Sequence, residues 1–196
     1  RNTYPGAQAP FGMVQLSPDN GLPGWDRISG YYYPDSTIAG FSHTHLSGTG
    51  AGDLYDISYM PVTLPYREAE APLGIHSKFR HSDEEASAGY YRVLLKDYNI
   101  NVELTATERC GIQRYTFPKA QSAVFLNLKK AMNWDFTQDS HIEVVDSCTI
   151  QGYRFSDGWA RGQRVFFRTR FSKPFRSSEI DTTAIIQDGK TIGTAY

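Results

Sequence analysis

The stretch SHTHLSGTGAGD, from Ser42 to Asp53, concentrates side chains that could do chemistry. It combines imidazoles, hydroxyls, a carboxylate and several glycines. The glycines allow the backbone to take positive φ values and to approach a ligand closely. His43 and His45 are two residues apart, so they share one face if a preceding strand extends through them. This stretch is therefore the first candidate for a ligand site.

Several kinds of site would suit the stretch. A metal site needs a third ligand beside the H-x-H pair, and His76, His81 and His141 are available, but no spacing points to any of them. A phosphate cradle would need a following helix and a lysine, which are absent. A wide turn whose histidines bond buried backbone groups is the purely structural alternative. A neutral polyol such as a sugar is favoured, because Trp25 and Tyr31–Tyr33 could stack on the C–H faces of a pyranose.

The elements around the stretch are predicted to be strands. The run TIAGF (37–41) and the alternating run LYDISYMPV (54–62) place residues 42–53 between two strands. Residues 90–117 read as an antiparallel meander of three strands. Further strands are predicted over 122–128, 148–155 and 163–171, with a hairpin around Asp188-Gly189. No helical period lasts a dozen residues, so the sequence predicts one all-β domain, an antiparallel β-sandwich.

Composition and the chain ends restrict the function further. The chain has 196 residues and a net charge of −1, which provides no electrostatic surface for nucleic acid, and no apolar run is long enough to span a membrane. Cys110 and Cys148 could form one disulfide or stay as separate thiols.

The first thirty residues are too irregular for strands, as expected of an ordered loop that serves a site. The start without Met and the last strand at Tyr196 lead us to expect an excised piece of a longer protein.

Three long segments resemble one known family. They are NTYPGAQAPFGMVQLSPD (2–19), GYYYPDSTIAGFSHTHLSGTGAGDL (30–54) and the segment from Glu84 to Pro118. All three are similar to the N-terminal domain of glycoside hydrolase family 92, a family of calcium-dependent exo-α-mannosidases that are mostly bacterial. Residues 158–175 resemble a later strand pair of that domain. Arg1 and Ala51 depart from the commoner Gly and Cys without removing a polar group assigned to the site.

The resemblance implies a division of labour between two domains. Residues 1–196 would form one N-terminal β-sandwich of the large mutarotase-like type, the supersandwich. It would pack on a C-terminal (α/α)6 barrel that this chain lacks, with the active site between them. The barrel would carry the acid, the base and most of the calcium site, so no catalytic residue and no metal ligand is expected here. The implied reaction is inverting hydrolysis of mannose-containing glycans, α-1,2-linked ones in particular, in the bacterial periplasm or outside the cell.

The residues expected to contact the sugar lie in two segments. They are Trp25, Asp26, His43, His45, Ser47 and Asp53. We expect His45 at the surface, where its replacement by Ala would leave folding nearly unchanged. Glu84 and Glu85 are adjacent, so they point to opposite faces of a strand and are interpreted as surface charges. A free-standing carbohydrate-binding module and an H-x-H metal enzyme remain as alternative functions.

Overall fold

The computed structural model describes residues 2–48, 50, 52–67, 69, 74–131, 134–175, 182–187 and 190–195, the last two segments by their backbone alone. These residues form strands and two short 3-10 helices, Trp25–Arg27 and His81–Asp83, and no α-helix occurs among them. In chain order the strands are β1 (Ala7–Gln8), β2 (Gln15–Asp19), β3 (Thr37–Ile38), β4 (Gly40–Ser42), β5 (Ser58–Thr63), β6 (Ser77–Lys78), β7 (Glu84–Ser87), β8 (Tyr90–Leu95), β9 (Ile100–Ala106), β10 (Gly111–Thr116), β11 (Ser122–Asn127), β12 (Phe136–Asp146), β13 (Thr149–Asp157), β14 (Gln163–Arg170), β15 (Thr182–Gln187) and β16 (Lys190–Ala195).

The strands assemble into antiparallel sheets around one central sheet. The central sheet has the order β1-β2-β4-β5-β11-β15-β16. A four-stranded sheet has the order β10-β9-β8-β7, and a three-stranded sheet has the order β12-β13-β14. Strands β3 and β6 form a separate small pair. The antiparallel β-sandwich predicted from the sequence is thus confirmed.

Apolar side chains cover the central sheet on both faces. Alternate residues of a strand point to opposite faces, and on β11 Phe125 joins one core while Val124 and Leu126 join the other. The first core includes Val93 and Val102 of the four-stranded sheet. The second includes residues of the three-stranded sheet, such as Ile150. This double burial is why β11 reads as a continuous apolar run instead of an alternating one.

The strand predictions are largely confirmed, with differences at the candidate site. The meander over 90–117 is present as β8, β9 and β10, which pair antiparallel in that order. Strands β15 and β16 pair through Gln187 and Lys190, whereas the turn residues Asp188 and Gly189 lie outside the described part of the chain. The expectation that the first thirty residues form no strand is wrong, because β2 pairs with β4 in the central sheet.

No helix among the described residues is long and apolar enough to cross a membrane. Cys110 and Cys148 are both free thiols, so the structure contains the separate thiols of the two alternatives.

Candidate functional site

The segment from His43 to Ile57 begins and ends as an extension of the central sheet. The His43 amide donates to the Asp56 carbonyl at 2.9 Å, and the Tyr55 amide donates to the Thr44 carbonyl at 3.1 Å. On its other side, the His43 carbonyl accepts the Gln15 amide at 2.8 Å. The base of the connection between β4 and β5 is therefore held by backbone hydrogen bonds to both neighbouring chain segments.

The returning arm of this connection carries backbone strain. The predicted strand over 54–62 forms only from Ser58, because Leu54, Tyr55 and Ile57 have φ values of 79°, 68° and 55°. Such values are uncommon for residues other than glycine, and they are most unfavourable for a β-branched side chain such as that of Ile57. Strain of this kind persists only where the surroundings hold it, and it is concentrated at functional sites.

His45 is buried and held from both ring nitrogens, contrary to the expectation of a surface position. Its residue exposure is 3%. Nδ1 lies 2.7 Å from the Gln15 carbonyl, and Nε2 lies 2.8 Å from Oδ1 of Asp19. The Ser42 hydroxyl oxygen also lies 3.1 Å from Nε2. Its ring also contacts the rings of Tyr4 and Tyr55 at centroid distances of 5.3 and 5.6 Å. Through these contacts the buried imidazole holds the segment against the central sheet.

Asp19 joins His45 to a buried lysine. Its Oδ2 lies 3.6 Å from Nζ of Lys130, which also donates to the Ala39 carbonyl at 3.0 Å. Burial alone would raise the pKa of Asp19, but Lys130 and His45 outweigh it and hold that pKa below its ordinary value. Burial in turn lowers the pKa of Lys130, against the attraction of Asp19. A Cβ at Gly30 (φ +82°) would stand 2.6 Å from Oδ1 of Asp19, so this position requires glycine.

His43 supports the strained arm of the segment. Its Nδ1 lies 2.8 Å from the Ile57 carbonyl, which leaves this nitrogen as the donor. The ring meets Tyr59 edge-on, and a Cβ at Gly111 would stand 2.7 Å from the ring carbon Cδ2. Burial lowers the pKa of His43 despite the hydrogen bond to Ile57. The neutral ring therefore packs between the strained arm and β10.

Asp53 is also buried, at 1% exposure, and connects the segment to the turn between β13 and β14. Its Oδ2 accepts the Ala160 amide at 2.8 Å, and its Oδ1 accepts Nε2 of Gln163 at 2.9 Å. A Cβ at Gly158 would stand 2.5 Å from Oδ1. The carboxylate is thus occupied by the turn that presents Trp159, a side chain with 75% exposure.

Arg154 fixes the underside of the segment. Its side chain is fully buried and forms ion pairs with Asp56 at 2.6 Å and with Asp135. Its Nε donates to the Leu128 carbonyl at 2.9 Å. The second oxygen of Asp56 accepts the hydroxyl of Thr44 at 2.7 Å. Burial raises the pKa of Asp135 in spite of the neighbouring guanidinium. One arginine therefore ties the three-stranded sheet to both arms of the segment.

Trp25 and Asp26 lie in a second loop, which is held by a backbone hydrogen bond at its base and by an ion pair. The Asn20 amide donates to the Gly30 carbonyl at 2.7 Å, and Arg27 forms a bidentate ion pair with Asp35 at 2.5 and 2.6 Å. The 3-10 helix Trp25–Arg27 then presents Trp25 with 58% of its surface exposed. Asp26 is half-buried in the same turn. The indole is available to a ligand on a loop that is itself well anchored.

The six residues named from the sequence divide into two groups. Trp25, Ser47 and, in part, Asp26 face the solvent. His43, His45 and Asp53 point inward and hold the loops in place. Contact of any of the six with a sugar stays a prediction. The inward-facing three would act through the loops that they position. Nδ1 of His43, both ring nitrogens of His45 and both carboxylate oxygens of Asp53 already have protein partners.

Sequence reasoning missed the charged groups that support the site. Asp19, Lys130 and Arg154 are buried partners of the segment, but they lie far from it along the chain, and a single charged residue in a strand carries no signal of burial. Glu84 was expected to be a surface charge, which is wrong. Its carboxylate accepts hydrogen bonds from Tyr91 at 2.7 Å and Tyr31 at 3.0 Å. Its neighbour Glu85 does lie at the surface, 3.3 Å from Arg92.

Among the residues that the structure describes, no third metal ligand accompanies the H-x-H pair. Within the described ranges, no three His, Cys, Asp or Glu side chains come together in a way that could hold a metal ion. The inward-facing nitrogens of His43 and His45 are instead bonded to carbonyl and carboxylate oxygens. The residues present therefore do not fit calcium or a transition metal, and no chemical step is assigned to a metal in this chain.

Comparison with known proteins identifies the family. The sequence profile described as "Glycosyl hydrolase family 92 N-terminal domain" matches residues 1–195. The chain belongs to this family.

Solved structures agree with the assignment of this family 92 domain. The GH92 α-mannosidase BT3965 from Bacteroides thetaiotaomicron is 35% identical, with a TM-score of 0.86, over 97% of this chain and 26% of that one. Its structure in complex with mannoimidazole gives the same TM-score at 34% identity, over 97% of this chain and 25% of that one. The inverting mannosidase BT2199 from the same organism, at 23% identity and a TM-score of 0.68 over 100% of this chain and 26% of that one, supports the fold alone.

A curated relative is more distant. An "uncharacterized secreted glycosidase" from Arthroderma benhamiae is 27% identical over 127 residues, which are 60% of this chain and 16% of that protein. The family 92 domain thus spans about a quarter of the length of the solved mannosidases and less of the fungal protein.

Proposed function

We propose that this domain forms the non-catalytic half of the active site of an inverting exo-α-mannosidase. In this proposal two parts of the domain face a C-terminal (α/α)6 barrel: residues 42–53 of the connection between β4 and β5, and the loop that carries Trp25. The barrel supplies both catalytic carboxylic groups. The substrate is a mannose-containing glycan with a terminal α-1,2 linkage. The parent protein acts in the bacterial periplasm or outside the cell, in keeping with the relative that is described as secreted.

The observation that carries the proposal is the match to an α-mannosidase over nearly the whole chain, at 35% identity. At that identity the loops as well as the strands align over 97% of the chain. The geometry is consistent with it, because both loops are anchored by ion pairs: the partly buried Arg27–Asp35 pair for the loop of Trp25 and the buried Arg154–Asp56 pair for the segment that follows His43. Rigid support of this kind is what substrate-positioning groups require.

The residues of this domain would bind and orient the sugar without moving protons. The exposed indole of Trp25 can stack on the C–H face of a pyranose. The Ser47 hydroxyl and the open backbone near Gly48 (φ +99°), where a Cβ would meet nothing within 4 Å, can address sugar hydroxyls. Such contacts hold the glycosidic bond between an acid and a base that stand roughly 6.5–9.5 Å apart in inverting enzymes. Calcium, where the parent binds it, is held mainly by residues outside this chain.

The test compares the full-length parent with the isolated 196-residue chain. The parent should hydrolyse an aryl α-mannoside and release β-mannose first, which proton NMR of the anomeric signals detects. The isolated chain should show no turnover, because both carboxylic groups of the acid–base pair are missing and each contributes about 10²–10⁴ in rate. Turnover by the repurified isolated chain would contradict the division of labour. Glycan binding by a parent that hydrolyses no mannoside would favour a binding module instead.

A further inference from the structure

A small aromatic cavity lies beside the candidate site and has no role in the account so far. It has a volume of about 190 Å³ and is lined by Thr3, Tyr4, Pro5, Tyr31 and Tyr33. We call it the tyrosine pocket. This volume is below that of a site for a drug-sized ligand and suits a single small ring.

The walls of the tyrosine pocket are held in place before any ligand arrives. The Tyr33 ring stacks on the His81 ring at a centroid distance of 3.9 Å and an angle of 8°. His81 is itself fixed by Glu84 at 2.7 Å and by the Tyr33 carbonyl at 2.6 Å. The Tyr31 hydroxyl donates to the same Glu84 at 3.0 Å. A ligand would therefore meet rigid rings, which lowers the entropy lost on binding.

The chemistry of the lining selects the ligand class. No lining side chain is charged, so neither an anion nor a cation finds a counter-charge at the pocket wall. Tyr33 keeps 65% of its surface exposed even though one ring face is stacked on His81, so it offers a ring surface to a ligand. A flat aromatic face next to hydroxyl groups suits a neutral ring that has an apolar C–H face and polar edges. A pyranose has these properties.

The tyrosine pocket adjoins the candidate site along the first residues of the chain, because the Gly48 amide donates to the Asn2 carbonyl at 2.6 Å. Tyr4 forms part of the pocket wall, and its ring meets the ring of His45 at a centroid distance of 5.3 Å. His45 belongs to the segment that we assign to the mannose site. Gly48 lies at the exposed tip of that segment, and Thr3 and Tyr4 of the pocket wall directly follow Asn2. A glycan that has its terminal residue at the tip can therefore place another sugar ring in the pocket.

We propose that the tyrosine pocket is an additional subsite that binds one neutral pyranose residue of the glycan, chiefly by stacking on Tyr33. As a subsite of the mannosidase, it rests on the proposed function. As a sugar-binding pocket, it can be tested without that function. The two arms of the experiment are chosen so that one proposal can fail without the other.

The first arm uses the full-length parent with Tyr33→Ala. The variant should lower kcat/KM for an α-linked mannotriose by about three- to ten-fold, the range that aromatic contacts contribute, and should leave an aryl mannoside unchanged. Tyr33→Phe keeps the stacking face and should behave as the wild type. Tyr66→Ala removes a tyrosine of 36% exposure on another part of the surface and is the matched control. Equal loss for both substrates, or no loss for either, would overturn the subsite.

The second arm uses the isolated chain and protein NMR with methyl α-mannopyranoside as the probe. Chemical shifts of Thr3, Tyr4, Tyr31 and Tyr33 should move together with a dissociation constant on the order of 1–10 mM. Thr3→Phe, which fills the pocket from its exposed rim, should abolish these shifts without removing a wall. If the parent proves inactive while the shifts appear, the proposed function fails and the pocket stands. If these residues do not respond, the pocket is not a sugar site, whatever the activity of the parent.

Discussion

A buried histidine and an exposed serine lie only two positions apart in one segment, and the first holds the fold while the second faces the solvent. His45 has 3% exposure and a buried carboxylate as a hydrogen-bond partner, whereas Ser47 is exposed. The alternation of extended backbone placed both histidines inward, where they bond to Ile57, Gln15 and Asp19. The polar atoms available to a ligand are those of the tip. The segment thus combines an internal scaffold with an external contact surface.

His45→Ala should destabilise the domain strongly, in contrast to the surface behaviour expected from the sequence. The change removes a hydrogen bond to the buried Asp19 carboxylate, a kind of bond that contributes about 1.5–3 kcal/mol, and it also leaves a cavity where the ring stood. For a chain of this length the thermal midpoint should fall by roughly 10 °C or more. Ser47→Ala is the control and should stay within about 0.5 kcal/mol of the wild type. A midpoint for His45→Ala equal to that of the control would show that the His45–Asp19 hydrogen bond does not stabilise the fold.

His43 should make the stability of the domain depend on pH in the weakly acidic range. Its pKa in the folded state lies below the ordinary value of 6.5, so the unfolded chain takes up a proton at a higher pH than the folded chain. The contribution of neutral His43 is therefore present above pH 6.5 and is lost as the pH falls below that value. The thermal midpoint of the wild type should drop between pH 7.5 and pH 5.5.

The matched variants for this pH effect are His43→Gln and His76→Gln. The first removes the titrating ring and should flatten the midpoint-against-pH curve in this range. The second removes a half-buried histidine that bonds only its local turn, at Gly74, and should leave the slope unchanged. The same slope in both variants would mean that His43 does not control the pH response.

At the scale of elements, three buried carboxylates connect the segment between β4 and β5 to parts of the chain that are distant in sequence. Asp53 joins the glycine-rich segment to the turn between β13 and β14, and Asp56 joins it to Arg154 of β13. Asp19, at the end of β2, joins the segment to Lys130. These bridges explain why an irregular set of loops can hold a fixed shape at the edge of a sandwich.

Asp53→Asn should loosen the turn between β13 and β14 while conserving volume. The amide replaces one carboxylate oxygen by a donor, so a hydrogen bond from the Ala160 amide or from Gln163 is lost. Hydrogen bonds to charged groups contribute about 1.5–3 kcal/mol, so exchange of the Ala160 amide should accelerate by roughly ten-fold or more. Asp97→Asn, which removes a comparable contact to the Lys78 amide elsewhere, is the control. Equal exchange at Ala160 in both variants would contradict this account of Asp53.

The regular strands could be predicted from the sequence better than the site. The meander from Tyr90 to Thr116 has clear alternation and turn residues, and its strands appear where expected. The run from Leu54 also alternates, yet its first residues adopt positive φ because Asp53, Asp56 and His43 anchor them. Periodicity reports which face is apolar, but it does not report buried ion pairs between residues about a hundred positions apart.

At the scale of the whole molecule, the domain is a scaffold with one polar edge. Its central sheet is buried on both faces by two other sheets, which stabilises a broad and rigid support. The loops at the edge carry exposed aromatic residues, Trp25, Tyr33 and Trp159 among them. Since the chain spans about a quarter of the length of the solved relatives, such an edge is suited to complete a site in a larger enzyme.

The most direct test of this account is kcat/KM of the full-length parent carrying Trp25→Ala, measured on an α-1,2-mannobiose together with the thermal midpoint. Trp25 is 58% exposed, so the midpoint should stay close to that of the wild type. Loss of its stacking contact should lower kcat/KM by about ten-fold. Phe166→Ala, at an exposed aromatic residue on β14 away from these loops, should change neither quantity. An unchanged kcat/KM for Trp25→Ala would contradict the claim that this domain forms half of the mannose site.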